Sequence, residues 1–326
     1  MKRRQFIALV SAAACPFAAH AQRTDRTRRI GVLLGWSEND PVIRAYFAAA
    51  VQHLAQLGWV EGRNIEIDVR WTRGNVDQSR VFAKELVAWQ PDVLFTGTTP
   101  ATAAVQNATS TIPIIFVVVA DPVGAGFVNS LPQPGGNITG FINIEAAMGG
   151  KWADLLKEIA PDLSRLAIMF NPETAPYSAR FLPSFDAAAQ SLGVETIRAP
   201  VRSKDEIETS IASLGPRTGL VVMTDSFLAV HRGIIISLVA TNRVPAIFES
   251  ALFCRAGGLI SYGPDYPDLW RRAAIYIDRV LRGTKPNDLP VEVPIKFELA
   301  INAGTARALG LAIPNTLLTI ADEVIE

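Results

Sequence analysis

The chain has 326 residues, about twice the length of one ordinary domain. Hydrophobic residues make up 49% and charged residues 19%, which excludes disorder, a collagen-like fibre and a disulfide scaffold and leaves material for two buried cores. Lys and Arg number 31, as do Asp and Glu, for a formal net charge of zero. With no basic excess to neutralise phosphates, nucleic acid is not an expected partner.

Residues 1–21 read as an export signal peptide. Lys2, Arg3 and Arg4 form a positive head, Phe6 to Ala14 an apolar run, and Ala19-His20-Ala21 a small-x-small cleavage site. The run is too short to span a bilayer. Arg3-Arg4-Gln5-Phe6-Ile7 also fits a twin-arginine pattern, with Lys2 where Ser or Thr is usual, so Sec and Tat export both stand. Cys15 follows Ala12-Ala13-Ala14, a box without the usual Leu, which weighs against a lipoprotein. Cleavage would remove three positive charges and no negative ones, leaving a slightly acidic chain with one cysteine, Cys254, and no internal disulfide. No later stretch offers the roughly 18 apolar residues of a membrane span, so the mature chain is expected to have no stable membrane insertion.

From Ile30 onward, strand and helix alternate. Ile30–Leu34 is a short apolar strand ending at Gly35, and residues 41–57 place Ile43, Phe47, Ala50, Val51 and Leu54 at helical spacing before Gly58. Ile65–Trp71, Val93–Phe95 and Ile114–Val119 read as strands, with helices over Gln78–Trp89 and Pro100–Thr109. After the turn-rich 131–137 the pattern restarts. Strands are expected at Leu166–Phe170, Glu195–Ala199, Gly219–Met223 and Pro245–Phe248, with helices at Lys151–Ile159, Phe181–Leu192, Lys204–Ser213 and His231–Asn242. Leu259–Tyr262 reads as a strand, Asp268–Leu281 as a helix, Leu289–Phe297 as extended and Ala303–Leu309 as a short helix. The fold class is therefore α/β: two doubly wound parallel-sheet lobes. Three crossover segments near 138–144, 259–263 and 289–297 would join them. The expected boundaries are 28–140 plus 262–285 for an N-terminal lobe and 141–261 plus 288–326 for a C-terminal one, with a hinged cleft between.

Chemistry-bearing motifs are absent. There is no GxxxxGK[ST] loop, no GxGxxG after the first strand, and no HExxH, CxxC or Cys/His cluster, so neither cofactor nor metal is expected. His53 and His231 are isolated, and Ser37 lacks the second glycine of a nucleophile elbow. No catalytic residue is assigned.

In such sheets ligands bind beyond the C-terminal ends of the strands, and polar or aromatic residues stand there in both halves. Trp36 and Ser37 follow the first strand. Thr96-Gly97-Thr98-Thr99-Pro100 follows the third and opens a helix whose free N–H groups favour an anion, although Thr99 would serve equally as a plain cap. Asp121-Pro122 follows the fourth, as binding residue or ordinary turn. In the second half Asn171-Pro172, with Tyr177 nearby, Asp225-Ser226 and Glu249-Ser250 occupy the matching places. An acid there would pair with a ligand ammonium or would cap a helix. Tyr262, in Tyr262-Gly263-Pro264-Asp265-Tyr266, and Trp36 offer flat walls for an aromatic ligand, or are core aromatics.

Several segments taken together resemble one family. They include Arg29-Ile30-Gly31-Val32-Leu33, Gly58-Trp59-Val60-Glu61-Gly62-Arg63-Asn64-Ile65, Gly97-Thr98-Thr99-Pro100, and Asp121-Pro122-Val123-Gly124-Ala125-Gly126-Phe127-Val128. Pro134-Gly135-Gly136-Asn137-Ile138-Thr139-Gly140, Tyr262-Gly263, Ile301-Asn302 and Ala306-Arg307-Ala308-Leu309-Gly310-Leu311-Ala312-Ile313-Pro314 complete the set. Over about residues 28–326 the chain resembles the ABC transporter substrate-binding proteins, including binders of tryptophan and other aromatic ligands. The resemblance implies a type I periplasmic binding fold, a periplasmic location, a small-molecule ligand handed to an ABC permease in the inner membrane, and no catalysis. It places the family's strand-end positions at Ser37, Thr98, Thr99, Asp121, Asn171, Asp225, Glu249 and Tyr262. An exported ligand sensor serving a membrane receptor, or a secreted α/β enzyme, would share much of this pattern.

Overall fold

The structure is a computed structural model and describes residues 26–326. The expected signal peptide lies outside the described residues. Five strands, β1 (Arg28–Leu34), β2 (Ile65–Trp71), β3 (Val93–Gly97), β4 (Ile114–Val119) and β5 (Ile138–Ile142), form a wholly parallel sheet in the order β2-β1-β3-β4-β5. The apolar runs of β3, β4 and β5 are buried on both faces because helices cover both. The first two helices start where a side chain replaces the missing backbone partners. Asp40 accepts from Val42 and Ile43 N–H to begin α1 (Pro41–Gln56), and Asn75 accepts from Gln78 N–H to begin α2 (Val76–Ala88). α3 (Thr99–Ala108) follows β3 directly.

The chain then leaves this first lobe. α4 (Met148–Ile159), β6 (Arg165–Phe170), α5 (Ser178–Ser191), β7 (Glu195–Pro200), α6 (Lys204–Ala212), β8 (Thr218–Val222), α7 (Ser226–Val230), α8 (Arg232–Thr241), β9 (Ala246–Phe248), α9 (Ala251–Arg255) and β10 (Ile260–Pro264) build the second lobe. α10 (Tyr266–Leu281) returns to the first lobe and buries Trp270 against Phe95 and Trp36. The chain crosses once more to β11 (Phe297–Asn302), α11 (Ala303–Leu309), α12 (Asn315–Ile320) and β12 (Glu323–Ile325). The second sheet runs β12-β11-β10-β9-β8-β6-β7.

The sequence reading differs from this structure at the crossings. A parallel sheet was expected in both lobes, yet β10 and β11 pair antiparallel, Ile260 opposite Ile301 and Pro264 opposite Phe297. The cause is topological: β10 runs towards the hinge and β11 comes back from it. Residues 262–264 and Phe141–Ile142 are strand residues of the second and first sheets respectively, so the passages fall just beyond them. Leu289–Phe297 is not one extended crossing either. Leu289 accepts the Thr139 hydroxyl, and Glu292 exchanges backbone bonds with Gly140 and Ile142, which docks this run beside β5 before it crosses. There Asp265 N–H meets Lys296 carbonyl, binding the second and third passages together. α7, α9, α12 and β12 carried too few residues for a periodicity to show.

Candidate functional site

The carboxyl ends of the two sheets face each other across a cavity of about 600 Å³, counted out to its mouth. Its first-lobe wall is aromatic. Trp36 follows β1 and lies 5.9 Å from Trp270, and Tyr46 on α1 stacks on Tyr266 at 6.4 Å, with 9° between the planes. Backbone strain shapes the same wall. Thr98 has φ +87°, and Val118 sits at φ +57° in a bulge of β4 that interrupts its register with β5. A β-branched residue at positive φ is unfavourable and persists only where its surroundings impose it. Gly97 is required here, because a Cβ on it would lie 2.6 Å from the Trp36 ring.

The second-lobe wall is polar, with Thr224, Asp225 and Ser226 after β8 and Glu249 and Ser250 after β9. Tyr177 closes it, its hydroxyl donating to Thr224 carbonyl at 2.8 Å. Asp225 caps α7, accepting from Phe227 and Leu228 N–H, and also takes Thr174 hydroxyl at 2.6 Å and Asn171 N–H at 2.7 Å. Burial raises its carboxyl to about 6 against the pull of those donors. Glu249 is raised further, to about 7, by burial, because among the described residues the hydroxyl of Tyr266 is its one opposing donor. Tyr46 is pushed to about 12, again by burial. At the rim, Arg232 pairs with Asp40 across the cleft.

Of the nine residues singled out from sequence, Trp36, Thr98, Thr99, Asp225 and Glu249 line this cavity. The other four stand elsewhere. Ser37 turns back to accept Asn39 N–H at 3.2 Å. Asp121 takes Gly124 N–H and reaches Arg180 of α5 at 3.2 Å, in a separate groove between the lobes. Asn171 lies behind the cavity, presenting its N–H to Asp225. Tyr262 stacks on Phe297 at 5.6 Å with Lys151 over its ring, away from the cavity; the wall expected from it is supplied by Tyr266. Thr99 does not cap α3: its hydroxyl accepts Ala120 N–H at 3.2 Å, while Thr98 holds the cap position with a buried hydroxyl that has no partner among the described residues. Asp40, Tyr46, Arg232 and Trp270 went unread because they sit on or at the start of helices, where strand-end reasoning does not look.

Among the described residues no group of three His, Cys, Asp or Glu side chains is placed to hold a metal, and no helix is long and apolar enough to cross a membrane.

Two α/β lobes, three passages and a cavity between strand ends define a two-lobed ligand-binding protein of the type I periplasmic binding fold. The family described as ABC transporter substrate binding protein matches residues 41–325, and the chain belongs to that family. It is 27% identical over 295 residues to a tyrosine-binding protein of Clostridioides difficile (strain R20291), covering 89% of this chain and 84% of that one. Among solved structures, an ABC domain from Streptococcus pneumonia in complex with L-Trp superposes with TM-score 0.84 at 27% identity, covering 92% of this chain and all of that one. A ligand-free, open substrate binding protein with adhesive properties from Clostridium difficile superposes with TM-score 0.67 at 25% identity, covering 91% and 99%. These relatives are binding proteins of a non-enzymatic family. The Arg232–Asp40 and Arg180–Asp121 pairs join the two lobes across the cleft.

Proposed function

We propose that the protein is the exported receptor of an ABC importer and that its cleft closes over an aromatic amino acid, which it passes unchanged to a permease. The observation that carries this reading is the make-up of the cavity. Packed aromatic side chains dominate the first-lobe side, and hydrogen-bonding groups, with Leu252 and Phe253 beside them, line the second. An aromatic amino acid has one apolar plane and a charged end, and it touches both walls only when the lobes meet. Binding therefore shifts the population towards the closed form. Thr98, at the start of α3, stands where a carboxylate would be received. The tyrosine-binding and L-Trp-bound relatives support the ligand class.

The test is calorimetric titration of the chain lacking residues 1–21 with L-tyrosine, L-tryptophan and L-phenylalanine, alongside leucine and glutamate. Micromolar or tighter binding by at least one aromatic amino acid is expected. Preference for leucine or glutamate over all three would reject the ligand class. Recovery of a chemically altered ligand would reject carriage without reaction.

A further inference from the structure

Resting on the reading of the cleft as an aromatic amino-acid site, we infer that Glu249 receives the ligand's ammonium and that the cavity demands this ammonium while dispensing with the carboxylate. It should accept aromatic amines and refuse aromatic acids.

The two buried carboxylates of the wall are not equivalent. Asp225 Oδ1 receives Thr174 hydroxyl and the N–H groups of Phe227 and Leu228, and its Oδ2 receives Asn171 N–H. Four donors occupy it, and its work is to cap α7 and fix the loop after β6. Glu249 differs. Its Oε2 takes the Tyr266 hydroxyl, and among the described residues no donor reaches Oε1. A buried carboxylate served by a single hydroxyl is poorly compensated, and a cation entering the cavity supplies what is missing. Aromatic rings such as those of Trp36 and Tyr46 in the facing wall also suit a cation better than an anion.

The anion side is weaker by the same count. Arg232 is the cationic side chain in the lining, and it is already committed to Asp40 and to Ala229 carbonyl. What remains for a ligand carboxylate carries no formal charge: the start of α3 and the hydroxyls of Thr98 and Ser226, both buried and, among the described residues, without a partner. A charge-assisted bond outweighs one between a carboxylate and a hydroxyl that has also given up water. The cavity thus answers one end of the zwitterion with charge and the other with dipoles.

The experiment is calorimetry on the unmodified protein with three matched ligands: L-tyrosine, tyramine, which lacks the carboxylate, and 3-(4-hydroxyphenyl)propanoate, which lacks the amine. Tyramine is expected within about tenfold of tyrosine, and the acid weaker by about a hundredfold or more, the scale of one lost charge-assisted bond in a closed site. The tryptophan, tryptamine and indole-3-propanoate series should give the same order. Glu249→Gln should then shrink the amine-over-acid preference at least tenfold, a ratio that general loosening of the fold would leave unchanged. If the amino acids bind and the acid equals or exceeds the amine, or Glu249→Gln keeps the full preference, the inference falls while the proposed function stands. If no aromatic amino acid binds at all, both fall.

Discussion

The guanidinium of Arg232, first residue of α8 in the second lobe, is bonded to the carboxylate of Asp40, the residue that caps α1 in the first. Asp40 divides its oxygens between the two tasks: Oδ1 serves the helix and Oδ2 the opposite lobe. Closing the cleft therefore completes the surroundings of a helix cap, and opening it gives up the ion pair. Arg232→Met should favour the open form and weaken ligand binding about tenfold. Asp40→Asn keeps the cap, since Asn caps as well as Asp, and loses the ion pair. A double-mutant cycle on ligand affinity should return a coupling of about 1–2 kcal/mol. Additive losses, or small-angle scattering that shows no expansion of ligand-free Arg232→Met, would remove the latch.

Without ligand, the protein should become less stable as pH rises. Glu249, raised from 4.5 to about 7, and Asp225, raised from 3.8 to about 6, keep their protons when folded at pH values where the unfolded chain has lost them. Between about pH 4 and pH 7 the folded state thus binds more protons, and unfolding free energy falls with rising pH by a few kcal/mol in all. Below this window both states are protonated and the penalty vanishes. Asp186 and Glu38, lowered mainly by hydrogen bonds from Arg198 and Arg73, act in the opposite sense, so the informative quantity is the difference between variants. Urea denaturation at several pH values should show a shallower decline for Glu249→Gln than for the unmodified chain. Parallel curves would contradict the cause assigned to Glu249.

How far the sequence carries can be judged from these same residues. The alternation of apolar, β-branched runs with amphipathic stretches was enough to place β1–β4, β6–β9 and the helices α1–α6 and α8, because a buried strand is apolar along its length, whereas β5 read as a passage between lobes and α7 left no mark. Trp36, Thr98, Thr99, Asp225 and Glu249 were found because the chain itself brings strand ends to one edge of a sheet. Ser37 and Tyr262 passed the same test and lie outside the cavity. The rule places a backbone position and says nothing of where a side chain turns. Asp40 and Arg232 were out of reach for another reason. They are 192 residues apart, and only the meeting of two lobes makes them neighbours. Nor does periodicity reveal that β11 returns from the hinge, since strand direction leaves no mark on hydrophobic pattern.

Gly35 and Gly97 are expected to be among the least replaceable residues of the first lobe. A Cβ on Gly35 would collide with the Thr98 hydroxyl, and one on Gly97 with the Trp36 ring. Both intrusions push a cavity-lining side chain out of place without removing any group a ligand touches. Gly35→Ala and Gly97→Ala should each cost about 1–3 kcal/mol in stability, the usual scale of overpacking, and reduce ligand affinity more than tenfold. A folded variant with unaltered affinity, measured by calorimetry, would show that the wall tolerates displacement.

Tyr266→Phe isolates the hydroxyl that donates to Glu249. The ring remains to stack on Tyr46, so the aromatic wall is preserved. The hydroxyl that stabilises the carboxylate is lost, and the Glu249 carboxyl should rise beyond about 7, where burial already holds it. At pH 6.5 more of the variant then carries a neutral carboxyl, which an ammonium does not seek, and binding of an aromatic amino acid should weaken about tenfold. At pH 8.5 most of the variant is ionised again, and the gap to the unmodified protein should narrow. The ligand's own titration is common to both proteins and cancels from the ratio. A ratio that stays constant across this range would mean that Tyr266 acts through packing alone and that the charge on Glu249 is not what the ligand meets.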